Sequence, residues 1–331
     1  MSHSSGSRPT PTPAISAPPG SRLVRKHLDA KHSSEFWFHD GSIVLLVGTL
    51  MFRVHQTVLA THSEVFAGLF TLPQPPAGTK GQETVEGCPV VELHDSQDDL
   101  TDLLRGIYHP SHFDTAPDEL GTLLPWVSGM LRLSTKYLIT TLRQRCLTLL
   151  AGFFPATFAA YTVLAARTPR RHYKSDDVMR AVCLAQECGA AALLPYAFYC
   201  VARMGLARLA GETPGDVAWR EKARCLVGRE RLRWAQMSLS HACLFAFRPA
   251  PRCTTPARCA LARGPAKEWR TIEAARAPHP LRRFGRWAAL NLCSECVAHA
   301  QAQHEAGREE VWQHLPVIFE LAPWAELQEN P

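Results

Sequence analysis

The 331-residue sequence has no apolar run approaching the ~20 residues that a bilayer-spanning helix needs, which excludes a membrane span of that kind. Its first stretch, MSHSSGSRPTPTPAISAPPGSR, holds no apolar h-region, so no secretory signal is read there. There is no G-x-S-x-G, no P-loop and no G-x-G-x-x-G. His and Asp residues are scattered without a nucleophile beside them, so the sequence reads as that of a non-enzyme. Neither sign of charge dominates. The 36 Lys and Arg against 30 Asp and Glu leave a formal charge of +6, too mild to argue by itself for nucleic acid. No repeat recurs at solenoid spacing.

What is present suits a soluble globular protein: 46% hydrophobic and 20% charged residues, with length for roughly two domains. The 11 cysteines are an odd number in a chain without a signal, which predicts an intracellular, reduced protein of the cytoplasm or nucleus. Most of these cysteines then serve as small buried apolar side chains.

Residues 1–34 are rich in Ser, Pro, His and basic residues and lack hydrophobic periodicity, and are read as a disordered tail. Patterning then begins. Ile43 to Val47 is an apolar run suited to a buried strand, Gly48-Thr49 turns the chain, and Leu50 to His55 pairs back as a hairpin. A helix carries Leu59, Phe66, Leu69 and Phe70 and is stopped by Pro73, Pro75 and Pro76. Residues 73–87 read as a Gly/Pro-rich loop, and Pro89 to Leu93 as a third strand. Ser96, three residues before Asp99, has the spacing of a helix N-cap. Leu100, Leu103, Leu104, Ile107 and Tyr108 then fall on one helical face. Leu120 to Leu138 forms a further apolar stripe, which Pro125 bends or opens, and Leu142 to Leu150 supplies the next helix. Strands first and helices after predict an α+β domain over 35–150. Residues 151–247 read as wholly helical, with helices over 156–166, 176–188, 193–209 and 218–247. Residues 248–331 read as a basic, irregular, proline-rich segment to about 285, then a helical stretch over 286–320.

The run Arg53-Val54-His55-Gln56-Thr57-Val58-Leu59-Ala60-Thr61-His62-Ser63-Glu64-Val65-Phe66 resembles the strand-to-helix signature of BTB/POZ domains. Asp40 with Ile43 to Val47, Val90 to Leu93 with the acidic helix after it, and Lys136-Tyr137-Leu138 agree with the flanks of that family. The resemblance spans residues 36–150, and the remainder is similar to the BTB proteins abundant in fungi. It implies a small sheet capped by helices, followed by a mostly helical C-terminal region. It also implies a protein-interaction adaptor: self-association, partner recruitment, or substrate delivery to a cullin-type ubiquitin ligase. Asp40, His55, Leu59, Ser63 and Phe66 are read as fold residues, with the His55 ring tying down local backbone groups and Ser63 satisfying a helix carbonyl. Animal repressor-type members carry an acidic residue in the first strand and a basic one after the signature His. Ser42 and Gln56 stand at those positions, so the charge pair is absent.

Two further constellations stand out. Cys293-Ser294-Glu295-Cys296 is a C-x-x-C, and Cys253 and Cys259 lie upstream in the proline-rich segment. Four thiolates can hold zinc tetrahedrally, which would fix an irregular stretch; His299 and His304 are substitutes for one ligand. A Cys253–Cys259 disulfide and buried free thiols are the alternatives, the latter because Cys293 and Cys296 fall at i, i+3 of an apparent helix. From Arg220 to Arg286 the chain is strongly basic, with Trp219, Trp234, Trp269 and Trp287 interleaved. That stretch supports an alternative, a nuclear regulator touching nucleic acid through residues 220–286, against the plainer reading of Arg stems covering apolar surface.

Overall fold

The structure, a computed structural model, describes residues 29–71, 84–167, 173–211, 219–261 and 263–329. They form two compact units. One contains the described chain to Tyr108 together with Tyr137–Ile139, the other His109–Lys136 and the chain from Thr140 onward.

The first unit is built on a mixed sheet of β1 (Lys31–Trp37), β2 (Ile43–Val47), β3 (Leu50–Val54), β4 (Thr84–Val85) and β5 (Cys88–Leu93). The strand order is β1-β3-β2-β5-β4. β2 and β3 form an antiparallel hairpin with Leu45 opposite Phe52, while β2 runs parallel to β5 and β1 parallel to β3. β2 lies mid-sheet with every residue buried, which is why its sequence is continuously apolar and does not alternate. Gly48 turns the hairpin at φ +58, and a Cβ there would stand 2.8 Å from Gln97 Nε2. That amide donates to the Val47 carbonyl at 3.0 Å, and the left-handed backbone at Gly48 favours glycine there. Helices α1 (Gln56–His62), α2 (Glu64–Thr71) and α3 (Gln97–Tyr108) complete the unit. Ser96 Oγ accepts the N–H of Asp99 at 3.4 Å at the start of α3, whose Leu100, Leu103 and Leu104 are buried.

Two sequence expectations change here. β1 begins at Lys31, inside the segment read as a tail; the remainder of that segment, residues 1–28, lies outside the described residues. β1 buries only Ser33 and Phe36 fully and its register shifts between His32 and Trp37, so no period of two marks it. Of the loop read over 73–87, residues 73–83 lie outside the described residues, and the last part is β4 with a turn at Glu86 (φ 50) and Gly87 (φ 78). Two consecutive positive φ angles are the geometry of a tight hairpin turn.

The second unit opens with a 3-10 turn, Pro110–Thr115, and is otherwise helical. Its helices are α4 (Leu120–Lys136), α5 (Thr140–Ala151), α6 (Phe158–Arg167), α7 (Ser175–Glu187), α8 (Leu194–Ala202), α9 (Leu206–Ala210), α10 (Trp219–Ala235), α11 (Ala242–Phe245), α12 (Pro256–Leu261), α13 (Arg263–Ala275), α14 (Ser294–Ile318) and α15 (Trp324–Glu329). Leu120, Leu123, Leu124, Val127 and Leu131 form the buried stripe of α4, and Pro125 lies inside that helix. The boundary between the units falls after Tyr108, within the stretch read as one domain, because α4 packs on α5 and α7.

The helix expected over 218–247 is interrupted by a π-turn, Gln236–Ser240. Gly307 of α14 crosses there, and a Cβ on it would meet Leu239 O at 2.5 Å. The close crossing and the widened turn belong together. The segment read as irregular over 248–285 contains α12 and α13. Pro256 opens α12 and Pro265 falls in the first turn of α13, positions where no intrahelical N–H is needed, so these prolines start helices instead of breaking them. The stretch over 286–320 is a 3-10 turn, Trp287–Leu290, a left-handed Asn291 (φ 52), and then α14. The chain is thus α+β, a small sheet with helices followed by a mostly helical C-terminal region. Among the described residues no helix is long and apolar enough to cross a membrane.

Candidate functional site

In the first unit, β3 delivers His55 to the start of α1. Its backbone N–H donates to Tyr108 Oη at 3.1 Å, and its ring Nδ1 stands 3.1 Å from the same hydroxyl. The other ring nitrogen, Nε2, lies 3.3 Å from Asp40 Oδ1, and because a carboxylate only accepts, Nε2 is the donor there. The His55 bond holds the exposed Asp40 carboxyl below its ordinary value. The ring therefore holds two side chains, and not the backbone groups expected of it. Leu59 is buried in α1. Ser63 Oγ accepts the N–H of Phe66 at 3.1 Å and donates to the Tyr137 carbonyl at 2.6 Å. Phe66 stacks on the Tyr137 ring at 4.6 Å between centroids, and the Tyr137 hydroxyl bonds Asp95. Burial and that carboxylate push the Tyr137 phenol far up, so it stays protonated.

Tyr108 was legible only as an apolar-face residue, and Tyr137 only as part of the family resemblance. A half-buried tyrosine whose hydroxyl needs a partner was the available signal. Ser42 and Gln56 bond to each other: Ser42 Oγ accepts the Gln56 N–H at 3.0 Å, and Gln56 Nε2 donates to the Ser42 carbonyl at 3.0 Å.

In the second unit, Cys253, Cys259, Cys293 and Cys296 bring their sulfurs within 4.8 Å of one another. All four are free thiols, three buried and Cys253 half-buried. Cys253 Sγ lies 3.8 Å from Cys293 Sγ. A metal with ~2.3 Å sulfur bonds in a tetrahedron sets its sulfurs about 3.8 Å apart, whereas a disulfide needs about 2.05 Å. Cys293 is the N-cap of α14 and not an internal helical residue, so the i, i+3 argument for two buried thiols on one helix face does not apply. Cys259 sits in α12 and Cys253 in the turn before it, which closes on Ala250 O through a 3.0 Å bond.

Backbone donors point into the cluster: Ala250 N–H to Cys296 Sγ and Cys293 N–H to Cys259 Sγ, each at 3.3 Å. The Cys296 N–H and the Thr254 hydroxyl draw the Cys293 thiol down to about 5. The Thr255 hydroxyl and the Cys293 N–H lower Cys259, while burial pushes Cys296 up to about 12. Such N–H···S bonds are the outer-shell support of a thiolate centre. Phe247, Ala250 and Leu292 pack around it. These four residues can hold a metal ion. His304 is elsewhere: its Nε2 accepts the Phe284 N–H at 3.0 Å and its Nδ1 bonds the Ser240 carbonyl.

Much of the basic stretch is committed internally. Arg229 is buried and donates to the carbonyls of Ala202 and Met204 at 2.8 Å. Arg224 pairs with Glu221 at 2.7 Å and Arg231 with Glu320 at 2.9 Å. Arg233 donates to Ala274 O at 2.7 Å, and Arg286 lies 4.9 Å from the Trp269 ring centre.

No curated protein matches the sequence. Residues 38–152 match the family model of the BTB/POZ domain. The match covers the hairpin, the His55 signature and α3 to α5. The chain is a BTB/POZ domain-containing protein, carrying a protein-interaction domain ahead of a mostly helical C-terminal region.

Proposed function

We propose that this protein is a non-enzymatic, intracellular adaptor whose BTB domain associates with a second copy or recruits a protein partner, a cullin among the candidates. The observation that carries this reading is the use made of the signature side chains. Asp40 pairs with the His55 ring, and His55, Ser63 and Phe66 spend their polar and aromatic groups on Tyr108, Tyr137 and local backbone, so they act as fold residues, together with buried Leu59. None is left as a nucleophile beside a base. The Ser42–Gln56 pair, bonded to itself, speaks against the charged dimer-groove mechanism of repressor-type members. The internal pairing of Arg224, Arg229, Arg231 and Arg233 favours the adaptor over contact with nucleic acid through 220–286. A stable contact of the BTB half would bury ~1,600 Å² in total. Cross-linking of the full chain to its captured partner tests this: links concentrated within 38–152 support the adaptor, and links confined to the helical half contradict it.

The helical half is fixed, in this proposal, by a structural zinc ion on Cys253, Cys259, Cys293 and Cys296. The supporting observation is the convergence of four sulfurs from three separate segments at an edge length that suits tetrahedral thiolate. Zinc there ties the turn at Cys253 and helix α12 to the start of α14. All four positions are taken by protein, so the ion has a structural and not a catalytic role.

A further inference from the structure

The helical unit contains a cavity of about 570 Å³, in the size class of small-molecule sites, ~300–1,000 Å³. It is separate from the cysteine cluster and from the BTB signature. Arg203, Arg282, Arg283 and Arg308 stand on its wall, and among the described residues no carboxylate does. The counterions lie outside the lining and are shared. Glu273 serves Arg282 and approaches Arg276 at 3.9 Å, and Glu305 serves Arg308 and Arg283, the latter at 3.2 Å. Arg203 has no carboxylate partner among the described residues. Its Nε is buried and makes no hydrogen bond, and its guanidinium lies 5.5 Å from the Tyr199 ring centre. Native structures rarely leave a buried donor unanswered, and a ligand that accepts its hydrogen removes the penalty.

Behind the wall, Tyr199 holds the lining residue His279. Tyr199 Oη accepts the Leu281 N–H at 3.4 Å and lies 2.5 Å from His279 Nδ1. Burial and the neighbouring Arg203 and Arg282 keep the His279 ring neutral. The lining carbonyl of Leu281, the natural acceptor there, is already taken by Tyr161 Oη at 2.9 Å and Arg308 Nε at 2.8 Å. Tyr161 and Tyr196 pack on each other and on Trp312, so the aromatic side of the cavity is rigid.

We propose that this cavity binds a small organic oxyanion, a carboxylate or phosphate compound, with Arg203 anchoring its charged end. A guanidinium fork matches both groups. The cavity exceeds what a bare ion fills, and Tyr161 and Tyr196 form the wall for the organic body.

Calorimetric titration of the full chain with citrate, and separately with inorganic phosphate, at ionic strength fixed with sodium chloride, tests this. The expected result is saturable binding of at least one anion, weakened at least about tenfold by Arg203→Met. Arg283, whose side chain is 62% exposed, tolerates Arg283→Gln, which weakens binding several-fold and serves if Arg203→Met does not fold. No saturable binding of either anion to the wild type overturns the proposal. So does unchanged affinity in a folded Arg203→Met or in Arg283→Gln. Binding of a poly-glutamate peptide with neither small anion bound also overturns it, in favour of an acidic protein segment.

Discussion

Tyr108 Oη stands 3.1 Å from both the backbone nitrogen and the ring Nδ1 of His55, so one hydroxyl on α3 fixes the point where β3 becomes α1. The phenylalanine variant keeps the ring and loses both bonds. Tyr108→Phe is expected to lower stability by about 1–3 kcal/mol, because the His55 N–H loses its acceptor. Urea denaturation measures this, and an unchanged midpoint would contradict the role given to the hydroxyl.

The cysteine cluster makes a compositional prediction. Protein purified without chelator carries one zinc per chain. Cys296→Ala loses most of it, whereas Cys146→Ala, at a buried thiol outside the cluster, keeps it. Chelation lowers the melting temperature, since structural zinc contributes directly to folding. Metal analysis by mass spectrometry decides the point, and metal-free, fully stable protein would remove the zinc from the account.

Two glycines are expected to respond with opposite sign to the same change. A Cβ at Gly307 meets Leu239 O at 2.5 Å, whereas one at Gly68 in α2 meets nothing within 4 Å. Gly307→Ala should destabilise by about 1–3 kcal/mol through overpacking against the π-turn. Gly68→Ala should stabilise by up to about 1 kcal/mol through helix propensity. Thermal melts of the pair compare them directly.

Acid sensitivity follows from buried histidines. Burial, with His304 and nearby arginines, lowers His241 to about 3, and burial also lowers His279 and His304. The folded state favours neutral rings, while the unfolded chain binds protons below about 6.5. Their contribution is therefore complete above about pH 6.5 and is lost as pH falls, for His241 until about 3. The expected slope is roughly 1.4 kcal/mol per pH unit for each histidine in that window. His241→Asn should flatten the profile. A stability curve level between pH 7 and 5 would contradict the assignment.

The hairpin, α3 and the stripe of α4 were legible because each meets its own period: a continuous run for mid-sheet β2, and helical spacing for Leu100 to Tyr108 and Leu120 to Leu131. β1 was not, since its two buried positions lie three apart across a bulge. Helices α12 and α13 were hidden by prolines that open helices as readily as they end them. Of the candidate sites, the cysteine identities were readable but their convergence was not, because three segments separated by tens of residues meet only in three dimensions. Of the arginines around the cavity, Arg282 and Arg283 appeared in the basic run, and nothing in the spacing shows that Arg203 joins them from α8's end or Arg308 from α14.

The most direct test of the adaptor is the mass of the full chain in solution, by light scattering, alone and with a cullin N-terminal fragment added. The account predicts either a species at about twice the 36.7 kDa chain mass or a defined complex with the fragment, and loss of that species when exposed BTB residues are changed. A strictly monomeric chain at high concentration that leaves the cullin fragment unbound would contradict it.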